Sequence, residues 1–357
     1  MAGPAPGETL RLATFNPDLT RKGPGVLLRD VLKGKDPDIR TAINIIAHVH
    51  PDVLLLTGID WDLRLQTLAT FRDALAAEGA DYPHMLAERP NTGMPTGRDL
   101  DRNGRMGEAR DAQGWGKYTG AEGMAVLSKH PLALERDFST MLWRDLPGNM
   151  LPTDWYDAAT QDVLRLSSTA HWQVRVQVGP TALSLLAYDA GPPVFDGPED
   201  RNGRRTHDET RFWTRFLDGQ LSHPPPDGPL VVMGGANLDP ADGDGRGEAI
   251  RALLQHPRLQ DPRPTSAGAQ EAANLQGQVN ARHKGDAALD TVDWKDEDGG
   301  PGNLRVDYLL PSRDLNVKEA GVFWPASDQP LDDLLRAKGK PGSRHRLVWV
   351  DVILQGQ

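Results

Sequence analysis

The chain has 357 residues, 38% of them hydrophobic, with a formal net charge of -10 at pH 7 and no cysteine. Disulfides, thiolate metal centres and cysteine nucleophiles are therefore excluded, and a nucleic acid finds no general electrostatic attraction, which makes it an unfavoured partner. No stretch approaches the about 20 apolar residues of a membrane helix, and the opening MAGPAPGETLRLATFN lacks the charged and apolar regions of a secretory signal; cytoplasmic, periplasmic and secreted locations stay open for a soluble chain.

Leu10 to Phe15 alternates enough to predict a strand that delivers Asn16 and Asp18 at its end. Thr20 to Asp38, punctuated by Gly and Pro, reads as an irregular excursion. Ile39, Ile43, Ile46 and Ala47 share one helical face, and that helix stops before Pro51. Val53 to Leu56 is a continuous apolar run of the kind buried on both faces of a sheet, and it leads into Thr57-Gly58-Ile59-Asp60-Trp61-Asp62. Leu65, Leu68, Phe71 and Leu75 predict a second helix, ended by Gly79. Residues 88–121 form a long loop without periodicity. Within it, Asp99, Asp101, Asn103 and Gly104 have the spacing of a Ca²⁺-binding loop, yet Arg110 stands where such a loop ends in glutamate. An Asx-turn-rich surface loop explains the same residues.

Gly123 to Ser128 predicts the next strand, with a hairpin partner from Leu132. Ser168 to Val178 and Ala182 to Ala187 predict adjacent strands joined at Gly179-Pro180, the second running into Tyr188-Asp189. Thr206-His207-Asp208-Glu209 reads as a capping box that opens a helix containing Phe212, Trp213, Phe216 and Leu217. Val231 to Met233 is a short apolar run that ends in Gly234-Gly235-Ala236-Asn237-Leu238-Asp239-Pro240, polar groups at a strand end where α/β proteins place chemistry. A short helix near Ala249 to Leu254 follows. Next comes a second long loop near 265–300, whose polar part from Thr265 to Gly285 is expected to be a mobile insertion. Leu304 to Leu310 and His345 to Val350 close the chain as two strands.

The strand ends thus present Asn16, Asp18, Asp60, Asp189, Asn237, Asp307 and His345. Oxygen donors of this kind suit a hard cation, and with one imidazole they suggest phosphoryl chemistry. The succession ATFN at 13–16, PDVLLL at 51–56, GMAVLS at 123–128, GGANLDP at 234–240, RVDYLLPS at 305–312 and SRHRLVWVD at 343–351 resembles the endonuclease/exonuclease/phosphatase superfamily. The tract PPVFDGPEDRNGRR at 192–205 resembles a bacterial subgroup of it. The resemblance implies one domain over 1–357 with a four-layer α/β/β/α sandwich, two packed mostly antiparallel sheets flanked by helices, of the DNase I type. It implies Mg²⁺ or Mn²⁺ near Asn16 and Asp18, a phosphoester substrate or ligand met by Asn237, and His345 held by Asp307 as the transition-state clamp; a rewired site would add Asp60 to the metal and Arg344 to the phosphate.

Four positions depart from that pattern. Gly58 stands where the metal-binding glutamate is expected, Asp189 in place of a histidine, Gly235 in place of the water-activating aspartate, and Arg344 before His345 where aspartate is usual. Two expectations compete: a phosphoester hydrolase whose site is rewired, with Asp60, Asp62, Asp189 or Asp239 as replacement carboxylates, and an inactive relative that binds a phosphate ligand. The basic residues Arg201, Arg204, Arg205 and Arg211 are expected to form a solvated loop and helix face.

Overall fold

The computed structural model describes residues 8–297, 299–337 and 340–354; of the opening stretch in which no signal was expected, residues 1–7 lie outside them. Strand β1 (Glu8–Phe15) is followed by helices α1 (Val26–Lys33) and α2 (Pro37–Val49), strand β2 (Val53–Ile59), helix α3 (Gln66–Ala77) and strands β3 (His84–Leu86), β4 (Gly123–Ser128), β5 (Leu132–Asp137), β6 (His171–Val178) and β7 (Thr181–Asp189). Helix α4 (Arg201–Leu217), β8 (Leu230–Gly235), α5 (Glu248–Leu254), α6 (Ala267–Gln276), β9 (Asp307–Pro311), β10 (Asn316–Val322) and β11 (Val348–Leu354) complete the two main layers.

One sheet has the order β10-β11-β1-β2-β4-β3 and the other β9-β8-β7-β6-β5. Only β1/β2 and β7/β8 pair in parallel; the remaining neighbours are antiparallel. The side-chain period of two sorts each strand between layers. In β7, Leu183, Leu185 and Ala187 enter the core shared with Leu12, Leu54 and Val350 of the other sheet. Leu186 and Tyr188 instead meet Phe212, Trp213 and Phe216 of α4. Alternate residues of β8 divide in the same way, Val231 and Met233 inward, Leu230 and Val232 outward. The result is the expected four-layer sandwich.

Several expectations are corrected. Residues 26–33 form α1 inside the supposed irregular excursion, opening at Gly25 with φ 74° and no side-chain cap. The strand from Leu132 does not fold back on β4; it crosses to the other sheet and pairs with β6. Helix α4 begins at Arg201, so Thr206 to Glu209 lie inside it and are no cap. The Thr206 hydroxyl donates to the carbonyls of Gly191 (2.7 Å) and Asn202 (2.8 Å). Residues 267–276, expected to be part of a mobile insertion, are helix α6, opened by Ser266, whose hydroxyl accepts from the Ala269 amide. The long tract 88–121 does stay irregular apart from one 3-10 turn at Ala109–Asp111.

Candidate active site

Parallel pairing sends the carboxyl ends of β1 and β2, and of β7 and β8, in one direction. Antiparallel β9 and β11 begin at that same end, because Asp307 pairs with Gly235 and Val348 with Thr14. The structure therefore gathers the residues around Asn16, Gly58, Asp189, Gly235, Asn237, Asp307 and His345 at one end of the two sheets.

Within the second sheet, Asp189, Gly235 and Asp307 form a row across three adjacent strands. Residues so paired point to one face, with Cβ atoms about 5 Å apart. A Cβ added to Gly235 would lie 2.5 Å from Asp189 Oδ1 and 3.7 Å from Asp307 Oδ1. The Asp189 carboxylate thus fills the place a side chain at 235 would take. Its Oδ2 accepts from Thr169 Oγ1 at 3.3 Å. Burial, with Asp307, Glu209 and Glu122 adding to it against the pull of His345, pushes the Asp189 carboxyl up to about 8.

His345 Nδ1 lies 2.9 Å from Asp307 Oδ2. The same oxygen accepts from Thr291 Oγ1 at 3.1 Å, and that hydroxyl in turn accepts from the Val306 and Asp307 amides. Burial works against the imidazolium, but Asp307, Asp189 and Asp18 outweigh it and raise the His345 pKa. Ser343 Oγ accepts from the His345 amide (3.1 Å) and donates to the Asn16 carbonyl (2.6 Å), tying the two sheets together at the site. Trp294 stands edge-on to the imidazole with centroids 5.8 Å apart. Asn237, in the left-handed region at φ 50°, donates from Nδ2 to the Ala190 carbonyl at 2.6 Å. Asparagine tolerates that conformation through its short polar side chain. Arg344 is exposed at the rim.

On the other sheet, Gly58 has φ 62°, and a Cβ there would collide with Asn16 Oδ1. That oxygen also accepts from the Asp18 amide at 3.0 Å. The pairing of β2 with β4 shifts register between Leu56 and Ile59, so Asp60 does not continue the face of Gly58. Instead Asp60 is buried, with Oδ1 accepting from Thr20 Oγ1 (2.6 Å) and Oδ2 from the Arg21 amide (3.2 Å). Two other supposed replacement carboxylates are spent elsewhere. Asp62 accepts from the amides of Arg64, Gln66 and Thr67 at the start of α3, and Asp239 from those of Ala241, Asp242 and Arg305.

One acidic residue escaped the sequence reading. Glu122, at φ 49° just before β4, has no hydrogen-bond partner for its carboxylate among the described residues. Burial first, then Asp18 and Asp60, push it up to about 7. Its only sequence signal is an acidic residue at the mouth of a buried strand. Asn16, Asp18 and Glu122 are oxygen donors whose mutual repulsion a hard divalent cation would relieve, so the donor chemistry fits such an ion. The carboxylates are not tightly convergent: among the described residues, the group of His, Asp or Glu ligand atoms lying within 4.8 Å of one another is Asp99, Asp101 and Asp111. There, Asp111 rather than position 110 joins the proposed calcium loop. Its oxygens accept from the Leu100 and Glu108 amides, Asn103 donates to Asp101 and Glu108, and the Arg110 guanidinium lies 3.8 Å from Asp101.

The basic cluster is not a uniformly solvated face. Arg205 is buried and donates to the carbonyls of Arg165, Leu166 and Ser167; Arg201 and Arg211 donate to the carbonyls of Arg110 and Gly148.

Two packed, mostly antiparallel sheets flanked by helices, with an acid-imidazole pair at one sheet end, define the class of DNase I-like α/β sandwiches. The Endonuclease/Exonuclease/phosphatase family model matches residues 29–345, and the chain belongs to that family. Solved structures similar to it include an endonuclease/exonuclease/phosphatase from Beutenbergia cavernae, 18% identical over 98% of this chain and 72% of that one with a TM-score of 0.53. A family protein from Leptotrichia buccalis is 15% identical over 97% of this chain and 100% of that one, with a TM-score of 0.52. One from Bacteroides thetaiotaomicron is 12% identical over 98% of each chain, with a TM-score of 0.51. No curated protein matches the chain.

Proposed function

We propose that the chain is a divalent-cation-dependent phosphoesterase whose water-activating carboxylate has moved one strand sideways, from position 235 to Asp189. The observation that carries this reading is the row Asp189-Gly235-Asp307, in which Asp189 Oδ1 stands where a residue-235 side chain would begin. In this reading Asp189 takes the proton of an attacking water, which a carboxylate of elevated pKa does well once ionised. His345, kept cationic by Asp307 at 2.9 Å, faces the phosphoryl oxygens, where charge grows as the bond forms. Asn237 orients the phosphate and Arg344 meets it at the rim. Asn16, Asp18 and Glu122 would hold Mg²⁺ or Mn²⁺, with Asp60 bracing the loop that carries Asp18. When bound, the ion supplies charge neutralisation at the phosphoryl oxygens.

Hydrolysis of bis-p-nitrophenyl phosphate by the EDTA-treated chain is expected to appear on addition of MgCl₂ or MnCl₂ and to fall by about 10²–10⁴ in His345→Ala. A second reading has its own support. At Gly58 the space a glutamate would use is taken by Asn16, which suits a phosphate-binding relative without catalysis. Calorimetric binding of inorganic phosphate with no hydrolysis in either metal would establish that alternative.

A further inference from the structure

One residue before Thr291, the strap that holds Asp307, the chain borders a cavity of about 270 Å³ between the turn after β8 and residues 285–290. Its lining includes Asp239, Arg251, Asp261, Asp286, Asp290 and Arg305. Asp290 is only 7% exposed and lines the cavity, yet its carboxylate has no hydrogen-bond or ion-pair partner among the described residues. A buried carboxylate without a partner is costly, and native structures normally supply one.

The neighbouring cations are already engaged. Arg305 is bidentate on Asp261 at 2.8 and 2.6 Å, Arg263 faces Asp286 at 3.3 Å, and Arg251 donates to the Pro240 carbonyl at 2.7 Å. The charged groups that act on Asp290 are all carboxylates, Asp239, Asp242 and Asp286, which together with burial push it up to about 8. Asp239 and Asp242 accept only backbone amides, from 241, 242 and 305 and from 284 and 285. Asp239 and Asp290 therefore line the cavity without an ion-pair partner, while Arg251 keeps its charge on a backbone carbonyl.

We infer that this cavity binds a divalent cation that keeps part of its water shell, with Asp290 as the principal ligand and Asp239 beside it. Oxygen donors select a hard ion. The cavity volume leaves room for waters beside the carboxylates. An ion here would anchor residues 286–291, and so steady Thr291 Oγ1 against Asp307 Oδ2. The inference is independent of hydrolysis at the cleft.

Calcium binding to the EDTA-stripped full chain, counted by equilibrium dialysis without substrate, tests it against Asp290→Asn, Asp290→Ser and, as a control for the exposed loop, Asp101→Asn. Both Asp290 variants are expected to bind one calcium fewer per chain than the parent and to lose a calcium-dependent rise in Tm that Asp101→Asn retains. If folded Asp290 variants, checked by circular dichroism, match the parent in calcium count and Tm response, or if the parent binds no calcium, the site does not exist.

Discussion

An added Cβ at Gly235 meets Asp189 Oδ1 at 2.5 Å, so an aspartate introduced there arrives beside a carboxylate already in place. Gly235→Asp alone is expected to destabilise the fold without raising activity, because two adjacent carboxylates in a half-buried site repel and crowd each other. Asp189→His in the same chain removes the conflict. A double-mutant cycle by urea unfolding should show a coupling of about 1–3 kcal/mol between the two positions; additive effects would mean that Asp189 does not occupy the vacated place. The Asp307–His345 pair and Asn237 were legible as residue types at strand ends. Glu122 was not, since Asp18 and Asp60, the residues that make it unusual, are brought to it from two other loops. The register shift at Leu56/Ile59 likewise hid that Asp60 turns toward Thr20 and Arg21. Thr291 and Ser343 carry no local motif at all; only the fold shows that one hydroxyl holds Asp307 and the other joins His345 to Asn16.

At the scale of elements, α4 is the support of the Asp189 side of the cleft. From its buried face, Arg205 reaches the carbonyls of residues 165–167, while Glu209 accepts from the Ser168 amide and hydroxyl and from the Gly191 amide at 3.0 Å. These bonds fix the segments carrying Thr169 and Ala190, the neighbours of Asp189. Arg205→Ala takes a donor from the Arg165 and Leu166 carbonyls, leaves that of Ser167 to Asn91 alone, and removes the charge that attracts Glu209; a loss of about 3–5 kcal/mol by chemical denaturation is expected. Substitution of half-buried Arg204, whose guanidinium lies 3.9 Å from Asp200, should change stability far less. This helix also shows why local sequence misleads. Thr206-x-x-Glu209 has the spacing of a capping box, but Thr206 donates to carbonyls in mid-helix and Glu209 braces a distant loop. Helix α1 was hidden by a start at Gly25 without a capping side chain, and α6 by its Ala, Gln and Gly composition. The apolar runs of β2, β4 and β8 were legible because both their faces are buried.

For the whole molecule, the proposed catalysis draws on both sheets, since Asn16 comes from one while Asp189, Asn237 and Asp307 come from the other, with His345 bridging them through Ser343. The two ionisations that matter then have opposite requirements. In the proposed reaction Asp189 acts as a base only when deprotonated, so with its carboxyl held at about 8 its ionisation makes the rate climb as pH rises. His345 acts as a cation, its pKa raised by Asp307, Asp189 and Asp18 against burial, so activity falls once the pH passes that raised value. The most direct measurement is the pH dependence of Mn²⁺-supported bis-p-nitrophenyl phosphate hydrolysis in the parent chain and in Asp189→Asn. The account predicts a bell in the parent, its acid limb set by Asp189 and its alkaline limb by His345, and in Asp189→Asn a rate lower by about 10²–10⁴ with the acid limb gone. Equal profiles in the two proteins would contradict it.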